Sequence, residues 1–177
     1  ERYWGEKQRE LDAWNARFDA GETMARGIAR HSASFPHYRR LFEAFHERWE
    51  ETLGVPDPAM LVLMKELREN GYRMLALTNF SAETFPRALR CHPFLGDFDG
   101  IVVSGEVGLI KPDPAVYTLL CERYGVCPQS ALFIDDSLAN VEGAGTVGMK
   151  GVHFSGAMAL RRELATLGIL ANAQPVS

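Results

Sequence analysis

Leu132-Phe133-Ile134-Asp135-Asp136-Ser137 decides how the rest of this chain is read. A short apolar run closed by polar residues reads as a buried strand, here spanning Ala131 to Ile134. It delivers two adjacent carboxylates to its carboxyl end. Like charges side by side repel, so without a cation nearby one of them should take up a proton or cost stability. Oxygen ligands with open positions suit Mg²⁺, which keeps several waters and binds one or two protein carboxylates plus a substrate phosphate.

Outward from that strand, helices and strands alternate. Met60, Leu63, Met64 and Leu67 line one face of a helix that ends at Asn70-Gly71, a left-handed cap signal. Tyr72 to Thr78 reads as a strand, Ala82 to Arg90 as a helix, and Ile101 to Val103 as a strand. Asp113 and Pro114 open a further helix as N-cap and first helical residue, and that helix closes near Gly125. After the acid pair come a helix from Leu138 to about Val147, a strand from Gly151 to Phe154, and a last helix with Leu160, Leu164 and Leu167 on one face. This alternation predicts right-handed β-α-β units in a doubly wound, Rossmann-like parallel sheet. In such sheets ligands bind beyond the carboxyl ends of the strands.

Two more strand ends carry polar residues. Leu75-Ala76-Leu77 leads into Thr78-Asn79, and Ile101-Val102-Val103 leads into the loop Ser104-Gly105-Glu106-Val107-Gly108-Leu109-Ile110-Lys111-Pro112. Alone, Thr78 reads as a turn residue and Lys111 as a surface charge. Together with Asp135 and Asp136 they point to a phosphoryl-transfer site.

Thr78-Asn79, Lys111-Pro112-Asp113-Pro114 and Phe133-Ile134-Asp135-Asp136-Ser137 resemble motifs two, three and four of the haloacid dehalogenase (HAD) superfamily, in the right order. The resemblance implies that Thr78 hydrogen-bonds the transferring phosphoryl group, that Asn79 helps orient it, and that Lys111 offsets negative charge there. It implies Asp136 as a direct Mg²⁺ ligand and Asp135 as a ligand or the partner of one. Many members carry an aspartate four residues past the ligating one; here that residue is Asn140. The metal-free dehalogenases of this superfamily lack such an acid pair, so Asp135-Asp136 favours a phosphatase.

Residues 1–53 have a different grammar. Tyr38, Leu41, Phe42, Phe45 and Trp49 recur at helical spacing between charged residues, and Trp4, Leu11, Trp14 and Phe18 form a looser stripe. A shorter helix runs from Glu22 to His31. This half resembles the all-helical cap of the first HAD subclass, and its aromatic stripe is expected to be core. The pattern breaks at Gly54-Val55-Pro56-Asp57-Pro58, which sets the domains at 1–53 (cap) and 54–177 (α/β core). Trp14, Asn15, Arg17, Asp19 and Gly21 fall where a substrate-facing loop would lie, although packing and a turn explain them equally well.

Composition narrows the function. The chain has 177 residues, 46% hydrophobic and 24% charged, enough for one domain with a small appendage. A net charge of -4 argues against a nucleic-acid partner. No apolar run approaches the roughly 20 residues that span a bilayer, and no secretory signal opens the chain. Cys91, Cys121 and Cys127 share no ligand spacing and read as reduced thiols in a cytoplasm.

The superfamily's first motif, Asp-x-Asp after an apolar strand, has no counterpart. Asp97-Phe98-Asp99 has the spacing but precedes its strand and reads as a turn. By resemblance the absent strand lies between those ending at Thr78 and Asp135, so a parent protein with about 20 to 30 further upstream residues is expected. The expectation is a Mg²⁺-dependent phosphomonoester hydrolase acting on a small phosphorylated metabolite through an aspartyl-phosphate, as a monomer or homodimer. A metal-free 2-haloacid dehalogenase and a non-catalytic interaction module stay open.

Overall fold

The computed structural model describes residues 14–171. Trp4 and Leu11 of the looser aromatic stripe lie outside them.

The first part is helical. A helical segment at 14–19 is followed by α1 (Met24–Ser34) and α2 (Arg39–Glu47), with 3-10 turns at Pro36–Tyr38 and Trp49–Thr52. Thr23 caps α1, its side chain accepting from the Arg26 N–H. Packing centres on Phe18, which is buried because Gly27 leaves room: a Cβ there would meet the Phe18 ring at 2.4 Å. Trp14 stacks on Phe42, with ring centroids 5.5 Å apart, and meets Phe18 and His31 edge-on. The stripe along α2 and its flanking 3-10 turns corrects the sequence reading. Phe42 and Trp49 pack, but Tyr38, Leu41 and Phe45 are 52%, 63% and 40% exposed. Helical spacing marks an apolar face, yet among the described residues nothing covers this edge.

The second part is α/β. α3 (Pro58–Glu69) begins at its N-cap Asp57, and Gly71 turns the chain with φ 82°. There follow β1 (Leu75–Thr78), α4 (Phe85–Cys91), β2 (Gly100–Val103), the short α5 (Ser104–Val107), α6 (Pro114–Tyr124), β3 (Leu132–Asp135), α7 (Leu138–Thr146), β4 (Lys150–His153) and α8 (Ala157–Thr166). The sequence predicts a loop over Ser104–Pro112; instead its start makes one helical turn, closed by Gly108 at φ 69°. β1 is shorter than the Tyr72–Thr78 run because its ladder starts where β2 starts, Leu75 facing Gly100.

The sheet is in two parallel halves, β1–β2 and β3–β4, and among the described residues no ladder joins them. β1 is half-buried throughout, unlike β2, whose Val102 and Val103 are buried. What ties the halves together is α6. Its Val116, Tyr117, Leu120 and Cys121 form one core with Val102 of β2 and Phe133 of β3, and Leu75 and Leu77 pack against it. The opposite face of β3–β4 is covered by α3 and α8 through Leu63, Val152, Leu160 and Leu164, with Leu132 and Ile134 joining them. Phe133 lies on one side and Leu132 and Ile134 on the other, as a period of two requires. At the outer edge of β2 the Tyr124 hydroxyl donates to the Ile101 carbonyl and accepts from its N–H, both at 2.8 Å, so that edge is closed by a side chain.

α7 descends onto the loop after β2. A Cβ at Gly143 would stand 2.6 Å from the Pro112 carbonyl oxygen and 3.0 Å from the Pro112 side chain. Gly143→Ala is therefore expected to destabilise the chain by about 1–3 kcal/mol through overpacking, despite alanine's better helix propensity. Urea unfolding checks this; a stabilised variant would contradict the contact.

Candidate active site

Three strand ends converge on one ion pair. Lys111 Nζ lies 2.7 Å from Asp135 Oδ2, with the two side chains only 10% and 7% exposed. Asp135 also accepts from the Ser137 N–H at 2.9 Å and from Asn140 Nδ2 at 3.0 Å. Burial by itself would raise this carboxyl; the hydrogen bonds from Lys111, Ser137 and Asn140 outweigh it and hold the group below its ordinary value. Asp135 is ionised and fully engaged.

Lys111 is held from the other half of the sheet. Asn79, just past β1, donates through Nδ2 to the Lys111 carbonyl at 3.0 Å and accepts the Lys111 N–H at Oδ1 at 2.8 Å. Both ends of the amide grip one residue's backbone. The turn carrying Asn79 is fixed in its turn by Ser104, which is fully buried and accepts from the Phe80 N–H at 2.9 Å. Thr78 sits half-buried at the end of β1, opposite Val103.

Asp136 differs from its neighbour. It is exposed, its carboxylate has no hydrogen-bond or ion-pair partner among the described residues, and its backbone carbonyl accepts from His153 Nε2 at 2.8 Å. The adjacent acids are thus divided: Asp135 holds the lysine, and Asp136 is left open toward solvent. Among the described residues no group of three or more His, Cys, Asp or Glu side chains is placed to hold a metal. A single open carboxylate beside a neutralised one still suits Mg²⁺, which needs only one or two protein carboxylates.

Two contributors escaped the sequence reading. Asn140 donates through its amide to Asp135. Beneath it the buried Tyr117 hydroxyl donates to the Asn140 carbonyl at 2.8 Å, and burial pushes that hydroxyl up to about 12. Spacing alone cannot reveal a contact between residues 23 apart. Asp97 ends a 3-10 helix (Pro93–Asp97) and residues 98–99 form a bend before β2; Asp99 Oδ2 accepts from the Met74 N–H at 2.7 Å, and Asp97 faces Arg68 at 3.9 Å. Of the cap residues, Trp14 is packed, Asn15 and Arg17 are exposed, and Asp19 is half-buried. Gly21, with φ 98°, lets the helical part approach the α/β part closely, since a Cβ there would lie 3.2 Å from the Gly105 carbonyl.

This arrangement defines an α/β protein with a lysine–acid centre at the carboxyl edge of its parallel strands, preceded by a helical segment. Residues 3–148 match the family model for haloacid dehalogenase-like hydrolases, and the chain belongs to that family. It is 34% identical over 112 residues to the sesquiterpene phosphatase astK of Aspergillus oryzae, an overlap of 63% of this chain and 57% of that protein. It is 27% identical over 107 residues to the (S)-2-haloacid dehalogenase 4A of Burkholderia cepacia, covering 60% and 46%. The chain thus spans about half the length of the curated relatives it matches. The crystal structure of the HAD family enzyme bt-2542 from Bacteroides thetaiotaomicron, in complex with magnesium and inorganic phosphate, shares the fold with a TM-score of 0.65. Its identity is 23%, over 76% of this chain and 71% of that one.

Two outcomes follow. Lys111→Met leaves the buried Asp135 unpaired and is expected to cost about 3–5 kcal/mol in urea unfolding, more than the double change with Asp135→Leu. Asp19, raised to about 6 by burial, carries the opposite sign. A carboxyl whose folded value lies above its unfolded one stabilises most below pH 4 and loses that contribution as pH rises through 6. Asp19→Asn is therefore expected to gain on the order of 1 kcal/mol over wild type at pH 7.5, discounted for partial exposure, with the gap narrowing by pH 5. Unfolding midpoints of both proteins at the two pH values check it.

Proposed function

We propose that this chain supplies the cap and most of the catalytic core of a Mg²⁺-dependent phosphomonoester hydrolase acting on a small phosphorylated metabolite. The division of labour between Asp135 and Asp136 carries the reading. A buried carboxylate neutralised by lysine beside an exposed, unpartnered one is the environment of a centre that takes a divalent cation and an anionic substrate together. The likeness to a phosphatase at 34% identity, and to a fold seen elsewhere with magnesium and phosphate, supports it.

In this reading Asp136 would hold the cation, and Mg²⁺ when bound would supply charge neutralisation at the phosphoryl oxygens. Thr78 donates its hydroxyl to the transferring group. Lys111, fixed at both ends by Asn79 and Asp135, presents a preorganised positive charge, which is where most phosphoryl-transfer catalysis originates. The attacking carboxylate of an aspartyl-phosphate mechanism is assigned to the parent protein's own first strand. We propose that the parent protein works in the cytoplasm, as a monomer or homodimer.

The likeness to a haloacid dehalogenase favours one second reading, metal-free hydrolysis of a 2-haloacid. The two separate on metal. With the full-length protein, para-nitrophenyl phosphate hydrolysis should require Mg²⁺ and be suppressed by EDTA, and Asp136→Asn should lower kcat/KM by about 100-fold or more with little change in unfolding midpoint. Halide release from 2-chloropropionate that persists in EDTA, without phosphate release, would reverse the assignment.

A further inference from the structure

One short core segment grips the cap at two points. The turn and helix following Thr78-Asn79 carry Glu83 and Arg87, four residues apart. Glu83 Oε2 accepts the Met24 N–H at 3.0 Å, the first backbone donor of α1. Arg87 donates through Nη1 to the His46 carbonyl at 2.7 Å and through Nη2 to the Glu47 carbonyl at 3.0 Å, both in the last turn of α2. The same guanidinium pairs with both oxygens of Glu50 and lies over the Trp49 ring at 5.8 Å.

The chemistry at each point matches the helix end it meets. A helix start presents unpaired N–H groups and positive potential, and a helix end presents unpaired carbonyls and negative potential. Here an acid faces the start of α1 and a base faces the end of α2. Because α1 and α2 form a hairpin, these two ends point the same way, toward the core. Trp49 then meets Phe80 edge-on at 5.5 Å, and Phe80 meets Phe85 at 5.5 Å, so the linker leaving the cap is packed against the residue next to Asn79. The backbones are close here as well: a Cβ on Gly21 would stand 3.2 Å from the Gly105 carbonyl oxygen.

We propose that Glu83 and Arg87 are a two-point clamp that fixes the orientation of the cap over the phosphate-binding turn, and are positioning residues for the reaction. The proposal rests on the hydrolase reading for its catalytic consequence, though not for its structural one. A side chain that recognises the leaving group from the cap is only as well placed as the joint beneath it, and misplacement by about 1 Å can cost 100-fold in rate. The phosphate pocket has its own supports, Ser104 on Phe80 and Asn79 on Lys111, so loosening the clamp should spare phosphate binding.

The test uses the full-length protein with Glu83→Gln, Arg87→Met and Arg87→Lys. Hydrogen exchange should quicken at least tenfold in residues 24–27 for Glu83→Gln, and in 46–53 for both Arg87 variants, since lysine cannot reach two carbonyls and a carboxylate at once. For a phosphomonoester with a bulky leaving group, kcat/KM should fall about tenfold or more, mostly through KM, while inhibition by inorganic phosphate stays within twofold of wild type. Unchanged exchange and KM overturn the clamp. So does an equal loss against every substrate and against phosphate, accompanied by a drop in Tm, which marks a purely structural role. If Arg87→Met does not fold, the other two variants decide. If the wild type hydrolyses no phosphomonoester, the hydrolase reading falls, and the exchange experiment still judges the clamp.

Discussion

Lys111 and Asp135 meet across a break in the sheet. The lysine arrives on the loop after β2 and the aspartate ends β3, so their contact joins two strand pairs that share no ladder among the described residues. A buried ion pair is a weak source of net stability, because desolvating two charges costs about what their attraction returns. What it fixes is geometry. An ammonium held by one carboxylate, with its backbone held by Asn79, has few alternative positions. Ser104, Asn140 and Tyr117 are further supports of the same point, each bonded to the turn or side chain next in line.

The pair also explains why adjacent acids coexist. Asp135 is charge-balanced internally by Lys111, and the Asp136 carboxylate is exposed beside it without a partner among the described residues. The site therefore has a charge-balanced pair inside and a free carboxylate at the surface beside it. The first helices are bonded to the same place, because the turn that holds Lys111 continues directly into Glu83 and Arg87, which bond to α1 and α2.

Much of the fold was legible because it rests on local periodicities. The apolar strand cores, the Asp113-Pro114 helix start and the Gly71 and Gly125 turns are written in a few residues each, and each took its expected form. The stripe along α2 and its flanking turns shows the limit of that reasoning. Tyr38, Leu41 and Phe45 have the spacing of a buried face, but burial needs a partner surface, and spacing does not say whether one exists. β1 was overextended for a related reason: strand propensity runs back to Tyr72, whereas a ladder runs only as far as its neighbour.

The sequence by itself determined the chemistry on offer: a hydroxyl and amide, a lysine, and two carboxylates, each at the end of an apolar run. Those are properties of residue type and of short range. Only the tertiary structure decided how the groups divide the work. Asn79 and Lys111 are 32 residues apart, Lys111 and Asp135 are 24 apart, and Arg87 and Glu50 are 37 apart. Which atoms at those distances meet depends on how the helices between them pack, and packing is a property of the whole chain.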